Sequence, residues 1–326
     1  MIIVTGAAGF IGSNLVAELN ERGHDEIVLI DRLGSEGKWR NIAKRRFTDF
    51  IFPEELESRL PAISGADAVF HLGANSSTTA VDADEVMRSN FRLSTQLWNW
   101  CARTHTPLIY ASSAATYGNG QEGFNDIESD EHFDKLRPLN LYGWSKHAFD
   151  RWAFVQNRKG KAPPFWAGLK FFNVYGPNEY HKGDMQSLVA KNTRRIVDGQ
   201  PIMLFKSHRP DYADGEQLRD FIYVADCTRV MLWLLESRTQ SGLFNLGTGR
   251  ARSFRDLMLA VGSAVGRDVT FDFREMPPAI RPNYQYFTEA KMQKLQHAGY
   301  DRAFFSLEDG VTDYVRHYLM KEDAYR

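Results

Sequence analysis

The sequence predicts an α/β protein with a doubly wound parallel sheet, followed by a smaller mixed α/β region. Short apolar runs alternate with longer amphipathic stretches through the first half of the 326-residue chain. The apolar runs are continuous, as expected for parallel strands that are covered by helices on both faces. A turn with three glycines joins the first apolar run to the first amphipathic stretch, as in many sheets of this kind.

Predicted strands and helices alternate through the first half of the chain. The strand candidates are the compact apolar runs at Ile2–Thr5 and at residues 26–31, 66–72 and 107–111. Residues 10–22 and 82–103 carry apolar side chains at helical spacing and are predicted helices. This alternation is what predicts crossover connections and parallel strand pairing.

The second half of the chain has a different texture, with shorter elements and more polar loops. Residues 206–219 are polar and rich in turn formers, which predicts a surface loop. Strand or helix character returns at residues 221–226, 243–249, 254–266 and 307–320, the last two being helices.

Composition excludes several classes of function. The formal net charge is -1, so the chain has no electrostatic footprint for a nucleic acid or a membrane surface. The apolar N-terminus has no basic stretch before it and is interrupted early by glycine, so it resembles neither a signal peptide nor a membrane span, which favours a cytoplasmic protein. Cys101 and Cys227 are expected to be reduced thiols. The nine histidines show no metal-binding spacing, so no metal is predicted.

The glycines of the first turn, Gly6, Gly9 and Gly12, predict a Rossmann-type dinucleotide site. They stand between the first strand and the first helix, together with Phe10 and Ile11. Glycine permits a tight turn and lets main-chain amides approach a pyrophosphate, while the helix N-terminus supplies partial positive charge. The spacing is GxxGxxG rather than GxGxxG, and its place between strand and helix gives it weight.

The end of the second predicted strand carries residues that would meet the adenosine ribose. Asp31 stands about 20 residues after the last glycine, where an acid binds the ribose hydroxyls. Arg32 and Lys38 follow, and a cation there can pair with a 2′-phosphate. The acid favours NAD and the cations favour NADP, so these residues leave both cofactors open.

Tyr142 and Lys146 predict an acid/base pair. Their i, i+4 spacing places both on one helix face, one turn apart. The usual pKa of tyrosine is about 10, and a nearby ammonium favours the phenolate and lowers it. Lys146 can also donate to the nicotinamide ribose. Ser113, just after a predicted strand, can hold the reacting oxygen by a hydrogen bond.

These motifs occur together in a family that the chain resembles over essentially its whole length, the extended short-chain dehydrogenase/reductases that act on nucleotide sugars. The matching segments are the glycine turn, Ser112 with Ser113, Tyr142 with Lys146, and residues 173–177 and 219–226. The resemblance implies an enzyme with a nicotinamide cofactor and a nucleotide-diphosphate sugar substrate.

The closer resemblance is to the branch of this family that epimerises ADP-activated heptoses for lipopolysaccharide synthesis. It is carried by segments such as residues 171–185, FFNVYGPNEYHKGDM. It implies tightly bound NADP, transient oxidation at C6″, return of the hydride to the opposite face, and a homo-oligomer. It also implies two acid/base groups, one for each face, matched here by Tyr142 and Lys182. A second proton donor is needed if the carbonyl intermediate turns over in the site, and burial suits a lysine to that task.

The resemblance also implies a set of binding residues. Lys146 and Lys182 match cofactor contacts of the family as well as catalytic positions. The further residues that match cofactor contacts are Leu72, Gly73, Ala74, Asn75, Ser76, Asn90 and Val174. Those at substrate positions are Asn173, Asp184, Lys191, Phe205, Lys206, Ser207, His208, Arg219 and Tyr284. Arg219 suits a diphosphate through bidentate donation. Three positions depart from the branch pattern: Asp184 replaces a serine, Lys191 a histidine and Pro53 a lysine. Residues 209–218 form a longer loop than usual.

The expected domain division follows the change in texture. Residues 1–172 are predicted to form the dinucleotide-binding domain, to which residues of about 220–250 return. Residues 173–326 are predicted to form mainly the substrate-binding region.

Three other functions compete with the epimerisation of an ADP-heptose. A 4,6-dehydratase should carry an acid directly after its catalytic Ser or Thr, but Ala114 and Ala115 follow Ser113. A UDP-sugar 4-epimerase uses the same Ser, Tyr and Lys set, and would not require Lys182. A non-catalytic dinucleotide-binding regulator could lose the Tyr/Lys pair, which is present here.

Overall fold

The computed structural model describes residues 1–278, 281 and 284–326, and its central feature is a seven-stranded sheet in which all neighbours are parallel. The strands are β1 Ile2–Thr5, β2 Ile27–Ile30, β3 Asp49–Ile51, β4 Ala68–His71, β5 Leu108–Ser113, β6 Trp166–Phe171, β7 Asn173–Tyr175, β8 Ile202–Phe205, β9 Leu218–Tyr223, β10 Gly242–Leu246, β11 Ala251–Ser253 and β12 Phe271–Arg274. The helices are α1 Phe10–Glu21, α2 Leu56–Arg59, α3 Ala83–Met87, α4 Leu93–Thr104, α5 Asp130–Lys135, α6 Leu141–Arg158, α7 Leu188–Val197, α8 Val224–Ser237, α9 Phe254–Val265, α10 Gln293–His297 and α11 Leu307–Tyr314.

The strand order creates a crevice at a defined place in the sheet. The order is β10-β6-β5-β4-β1-β2-β3, so the chain winds outward in opposite directions from the β1–β4 pair. Loops leaving the carboxyl ends of these two strands diverge, and open α/β sheets bind ligands at this switch point. The predicted doubly wound fold is confirmed.

Helices cover both faces of the large sheet. Side chains alternate along β1, so Val4 belongs to one apolar core and Ile3 to the other. The first core includes residues of α1 and α8, and the second includes residues of α4 and α6. The two cysteines are free thiols buried in these helices, Cys101 in α4 and Cys227 in α8.

A third core lies in the later part of the chain, around two smaller sheets. One sheet has the order β11-β9-β7, and the other pairs β12 with β8. Residues of α7, α9 and α11 pack against them. The predicted smaller mixed α/β region is therefore present. No helix in the described part of the chain is long and apolar enough to cross a membrane.

Two predictions for the second half need correction. The polar segment 206–219 is irregular only as far as Gln217, because Leu218 and Arg219 already pair in β9 with β11. Residues 221–226 are not one element, since β9 ends at Tyr223 and α8 begins at Val224. Pairing partners far along the chain decided both boundaries, and local polarity could not reveal them.

Candidate active site

The glycine turn lies at the carboxyl end of β1 and leaves no room for side chains. Gly6 has φ +66°, and a Cβ there would lie 2.6 Å from the Gly73 nitrogen. A Cβ on Gly12 would lie 2.1 Å from the Gly6 carbonyl oxygen. Gly9 precedes α1 and brings no side chain to cap its first turn. The free amides of that turn can therefore meet a pyrophosphate.

A cavity of about 840 Å³ opens at this turn and extends toward the smaller sheets. Most of the predicted cofactor and catalytic residues line it. They are Gly6, Gly9, Phe10, Ile11, Gly12, Asp31, Lys38, Leu72, Gly73, Ala74, Asn75, Ser76, Ser113, Tyr142, Lys146, Asn173, Val174 and Lys182. Residues from both halves of the chain thus meet at one cleft, which is referred to below as the central cleft.

The catalytic helix α6 begins where it does because of local sequence signals. The Asn140 side chain accepts a hydrogen bond of 2.8 Å from the Gly143 amide and caps the helix. Gly143 allows α6 to approach the turn after β5, since a Cβ there would lie 2.7 Å from the Ala115 carbonyl oxygen. This contact brings Tyr142 and Lys146 beside Ser113, as the sequence predicts.

The charge states of the pair differ from the prediction. Burial raises the pKa of the Tyr142 phenol, hydrogen bonding by the Ser113 side chain opposes the increase, and the Asp150 carboxylate adds to it. Burial lowers the pKa of Lys146 to about 8, against the pull of Asp150. Lys146 Nζ donates to the Ala111 carbonyl oxygen at 2.8 Å. The predicted lowering of the Tyr142 pKa is wrong, because burial and the Asp150 charge together outweigh the hydrogen bond from Ser113.

The adenosine end of the central cleft holds a tight ion pair. Lys38 Nζ lies 2.5 Å from one carboxylate oxygen of Asp31, and the other oxygen accepts from the Ala8 amide at 2.8 Å. Arg32 does not line the cleft, contrary to expectation. Its exposed guanidinium pairs with Glu54 instead. Pro53 starts the short turn that presents Glu54, so the departure at Pro53 comes with a carboxylate for Arg32.

Asn90 acts behind the cofactor loop rather than in the central cleft. It is buried in a π-helical turn between α3 and α4, and is absent from the cleft lining. Its side chain accepts from the Asn75 amide at 2.8 Å and donates to the Asn75 carbonyl at 2.9 Å. Asn90 therefore holds the loop after β4 in place, and its contact with the cofactor stays a prediction.

Lys182 reaches the central cleft from the segment after β7. Its ammonium lies 5.3 Å from the centre of the Phe10 ring. Burial lowers the pKa of Lys182, and the charge of Glu179 raises it again. Lys182 is therefore a lysine whose burial favours loss of its proton, and it comes from a different segment of the chain than Tyr142.

The predicted substrate residues divide into two groups. Phe205, Arg219 and Tyr284 form a cluster in which the buried Arg219 guanidinium lies 5.3 Å from the Tyr284 ring centre and 5.4 Å from that of Phe254. Phe254 lines the central cleft, so this cluster adjoins it. Arg219 presents its positive charge beside the cleft.

Asn173 lines the central cleft, and the remaining predicted substrate residues lie outside its lining. Lys206 and His208 both face Glu275, at 3.4 and 3.5 Å, and the Ser207 amide donates to Asp214. Asp184 and Lys191 are exposed, and Lys191 Nζ donates to the Asp184 carbonyl oxygen. Two of the three departures from the branch pattern thus contact each other, whereas the expectation was that they face the substrate.

Several lining or supporting residues were not predicted from the sequence. His181, Gln186, Ser187, Phe254, Leu257 and Gln285 line the central cleft. Asn41 links the two halves, since its side-chain nitrogen lies 2.8 Å from the Ala8 carbonyl and 3.0 Å from the Asn178 carbonyl. Only Ser187 carried a readable signal, as a helix cap before the apolar start of α7.

Residues 2–247 match the NAD dependent epimerase/dehydratase family. The chain belongs to the NAD dependent epimerase/dehydratase family. Over its full length it is 49% identical to the full length of an ADP-L-glycero-D-manno-heptose-6-epimerase from Fusobacterium nucleatum. A solved structure of the enzyme of that name from Helicobacter pylori superposes with a TM-score of 0.78, at 27% identity over 97% of this chain and 95% of that one. A UDP-glucose 4-epimerase of Thermus thermophilus, solved with NAD, superposes with a TM-score of 0.72, at 27% identity over 95% of this chain and 96% of that one.

The epimerase/dehydratase fold accounts for the shape of the central cleft. This chain is an epimerase that uses a nicotinamide cofactor. The structure fits such a group, because the glycine turn is a cradle that any Cβ would fill and the cap-free start of α1 faces the cleft. Lys146, Asp31 and Lys38 line the same cleft as the glycine turn.

Proposed function

We propose that the chain converts ADP-D-glycero-D-manno-heptose to ADP-L-glycero-D-manno-heptose by epimerisation at C6″, in the supply of a lipopolysaccharide precursor. The observation that carries the proposal is that one cleft is lined by Tyr142 and by Lys182, from different segments of the chain. Two proton-transfer groups from different segments that meet in one cleft suit a reaction that must serve both faces of one carbon. The full-length relative named above supports the same substrate.

The side chains divide the work as follows. Ser113 holds the reacting oxygen, and Tyr142 exchanges its proton on one face. Lys146 is protonated in most molecules at neutral pH, because its pKa is about 8. It favours the Tyr142 phenolate when that proton leaves. Lys182 exchanges the proton on the opposite face. The bound nicotinamide supplies the hydride acceptor and donor. Arg219, buried and aromatic-lined, binds the diphosphate.

The finer features of cofactor and assembly belong to the same proposal. We infer NADP as the cofactor, held tightly between turnovers, because Lys38 places a cation at the adenosine end. Residues 1–172, joined by about 220–250, bind this cofactor, and residues 173–326 mainly bind the sugar nucleotide. The active form is a homo-oligomer, which light scattering on the purified protein would measure.

The test is incubation of purified protein with ADP-D-glycero-D-manno-heptose, followed by chromatography for the L-glycero isomer. Conversion without added cofactor would establish the substrate and a cofactor retained from the cell. If no conversion occurs even with NADP or NAD supplied, the substrate is another nucleotide sugar. A UDP-sugar 4-epimerase reaction would then be tested next.

Variants separate the two proton-transfer groups. Tyr142→Phe and Lys182→Met should each lower kcat by about 100-fold or more, the usual contribution of a general acid or base. Tyr318→Phe, which removes a hydroxyl outside the cleft lining, is the matched control. Full turnover by Lys182→Met would contradict the two-base assignment.

A further inference from the structure

Glu179 is a fully buried carboxylate three residues before Lys182, and it does not line the central cleft. One of its oxygens accepts from the Ser187 amide at 2.6 Å, and the other from the Ser187 hydroxyl at 2.7 Å. The Gly176 amide lies 3.4 Å from that second oxygen. Burying a carboxylate is costly unless its oxygens are satisfied, so this arrangement has a structural or functional purpose.

These bonds close the segment that carries Lys182, residues 180–187, end to end. Glu179 stands immediately before the segment, and Ser187 is its last residue and the N-cap of α7. Gln186 adds a second crosslink, because its side-chain nitrogen donates to the Tyr180 carbonyl at 2.8 Å. The loop is thus a closed ring of short contacts with Lys182 near its middle.

The residues before Glu179 anchor the ring to the cofactor half. Asn14 in α1 donates to the Pro177 carbonyl at 2.8 Å, and the Asn178 side chain donates to Ser13 at 3.0 Å. Asn41 reaches both Ala8 and Asn178, as described above. Glu179 therefore joins a loop of the later half to a fixed point beside the glycine turn.

We propose that Glu179 is a positioning residue for Lys182, closing the loop that carries it and setting the charge that its ammonium meets. The inference rests on the proposed function, which gives Lys182 its role. Glu179 touches neither the central cleft nor, by this account, the substrate, so it acts through Lys182.

The charges around the loop determine the direction in which the Lys182 pKa moves when Glu179 is changed. The Glu179 carboxylate favours the ammonium form of Lys182, whereas burial disfavours it. Phe10 contributes an aromatic face from α1, and the Asp31–Lys38 pair acts on the neighbouring His181. The Tyr180 and Tyr314 phenols border Glu179. Removing the Glu179 charge must therefore lower the Lys182 pKa, whichever form of Lys182 is the active one.

Glu179→Gln tests the charge apart from the loop closure. A glutamine oxygen can accept from the Ser187 amide, and its nitrogen can donate to the Ser187 hydroxyl, so the ring can stay closed. Glu179→Ala removes both functions, and Ser187→Ala weakens the closure while keeping the charge. Asp226→Asn is the matched control, because Asp226 is a buried carboxylate outside the cleft lining that accepts from the Phe305 amide at 2.9 Å.

The experiment measures kcat, KM and the pH dependence of kcat for the full chain with ADP-D-glycero-D-manno-heptose, and thermal unfolding alongside. Lys182→Met identifies the limb of the pH profile that belongs to Lys182. Glu179→Gln should move that limb to lower pH and lower kcat by about 10-fold with little change in KM, because Lys182 loses the negative charge that favours its ammonium form. Glu179→Ala should lose more, and Ser187→Ala should lower kcat without moving the limb.

Each outcome decides the inference. If Glu179→Gln matches the wild-type profile while Lys182→Met has a much lower kcat and lacks the limb, Glu179 is only a structural brace and the inference fails alone. If Lys182→Met keeps full turnover, the proposed second base fails first, and Glu179 loses its role with it. A limb shift of the same size in Asp226→Asn would also overturn the inference. If neither Glu179 variant folds, Ser187→Ala decides, because unchanged kcat there would refute a positioning loop.

Discussion

Lys38 Nζ lies 2.5 Å from a carboxylate oxygen of Asp31, at the adenosine end of the central cleft. The same carboxylate accepts from the Ala8 amide, inside the glycine turn. An unpaired acid at this place would repel a 2′-phosphate, and the lysine cancels that charge. The pair therefore leaves no net negative charge at this place, which is compatible with either cofactor.

Lys38→Met should weaken NADP binding more than NAD binding. The substitution removes the cation and leaves Asp31 facing the 2′-phosphate, so the NADP dissociation constant should rise about 10-fold or more, the equivalent of roughly 1.4 kcal/mol. NAD binding should change much less. Titration of nucleotide-stripped protein with each cofactor gives both constants. Arg40→Met, which removes an exposed cation outside the cleft lining, is the control. Equal losses for both cofactors would contradict the assigned role.

Glu54→Gln should strengthen NADP binding. Glu54 pairs with Arg32 on the surface, where both side chains are more than half exposed. Such a pair is worth at most about 1 kcal/mol, so the guanidinium is readily released. Freed from its carboxylate, Arg32 can turn to a 2′-phosphate, and the NADP dissociation constant should fall up to about 5-fold from that pair energy. Glu57→Gln, three residues further along the chain in α2, is the control. No change, or a loss, would show that Arg32 stays outside the cofactor site.

Residues whose role depends on local geometry could be predicted from the sequence. The glycine turn, the Tyr142–Lys146 spacing and Ser113 after β5 all lie where the motifs place them, because each is set within a few residues of an element end. The sequence places Arg32 at the cofactor site, but the structure pairs it with Glu54 on the surface. Glu54 comes 22 positions later, on a turn begun by a proline, so a local pattern could not reveal this partner.

Residues that act across the fold could not be predicted in this way. Asn41 meets Asn178 over 137 positions, and no local pattern in the sequence marks either residue for this contact. The pKa of Tyr142 was predicted with the wrong sign, because the sequence shows the nearby ammonium but not the depth of burial.

Gly12→Ala should be far more damaging than Gly9→Ala. A Cβ at Gly12 would lie 2.1 Å from the Gly6 carbonyl oxygen, which is main chain and cannot yield without opening the turn. At Gly9 the nearest atom is the same oxygen at 3.0 Å, a contact that a small shift relieves. We expect Gly12→Ala to lose at least about 3 kcal/mol of unfolding free energy, at the high end for point mutations. Urea unfolding of both variants measures the difference, and equal stability would contradict the close approach of α1 to the turn.

Lys146→Met should stabilise the nucleotide-stripped protein at neutral pH. Burial lowers the folded-state pKa of Lys146 to about 8, while an unfolded lysine titrates near 10.4. Below pH 8 the folded chain must hold a buried ammonium, at a cost on the order of 3 kcal/mol from that difference. The cost is relieved as the pH rises from 8 toward 10.4, because the unfolded state then binds more protons. Loss of the hydrogen bond to the Ala111 carbonyl reduces the expected gain in stability by about 1 kcal/mol.

Lys170→Met is the matched control for this prediction and has the opposite sign. Lys170 is also buried, but its ammonium lies 2.7 Å from Asp150 and 2.8 Å from the Thr116 hydroxyl. Removing it strands a buried carboxylate, which costs about 3–5 kcal/mol. Urea unfolding at pH 7 and pH 9.5 should show Lys146→Met more stable than wild type by about 2 kcal/mol at the lower pH and by less at the higher, by the same linkage. A destabilised Lys146→Met at pH 7 would mean that its ammonium is compensated in the folded chain, and that the site does not hold Lys146 under electrostatic strain.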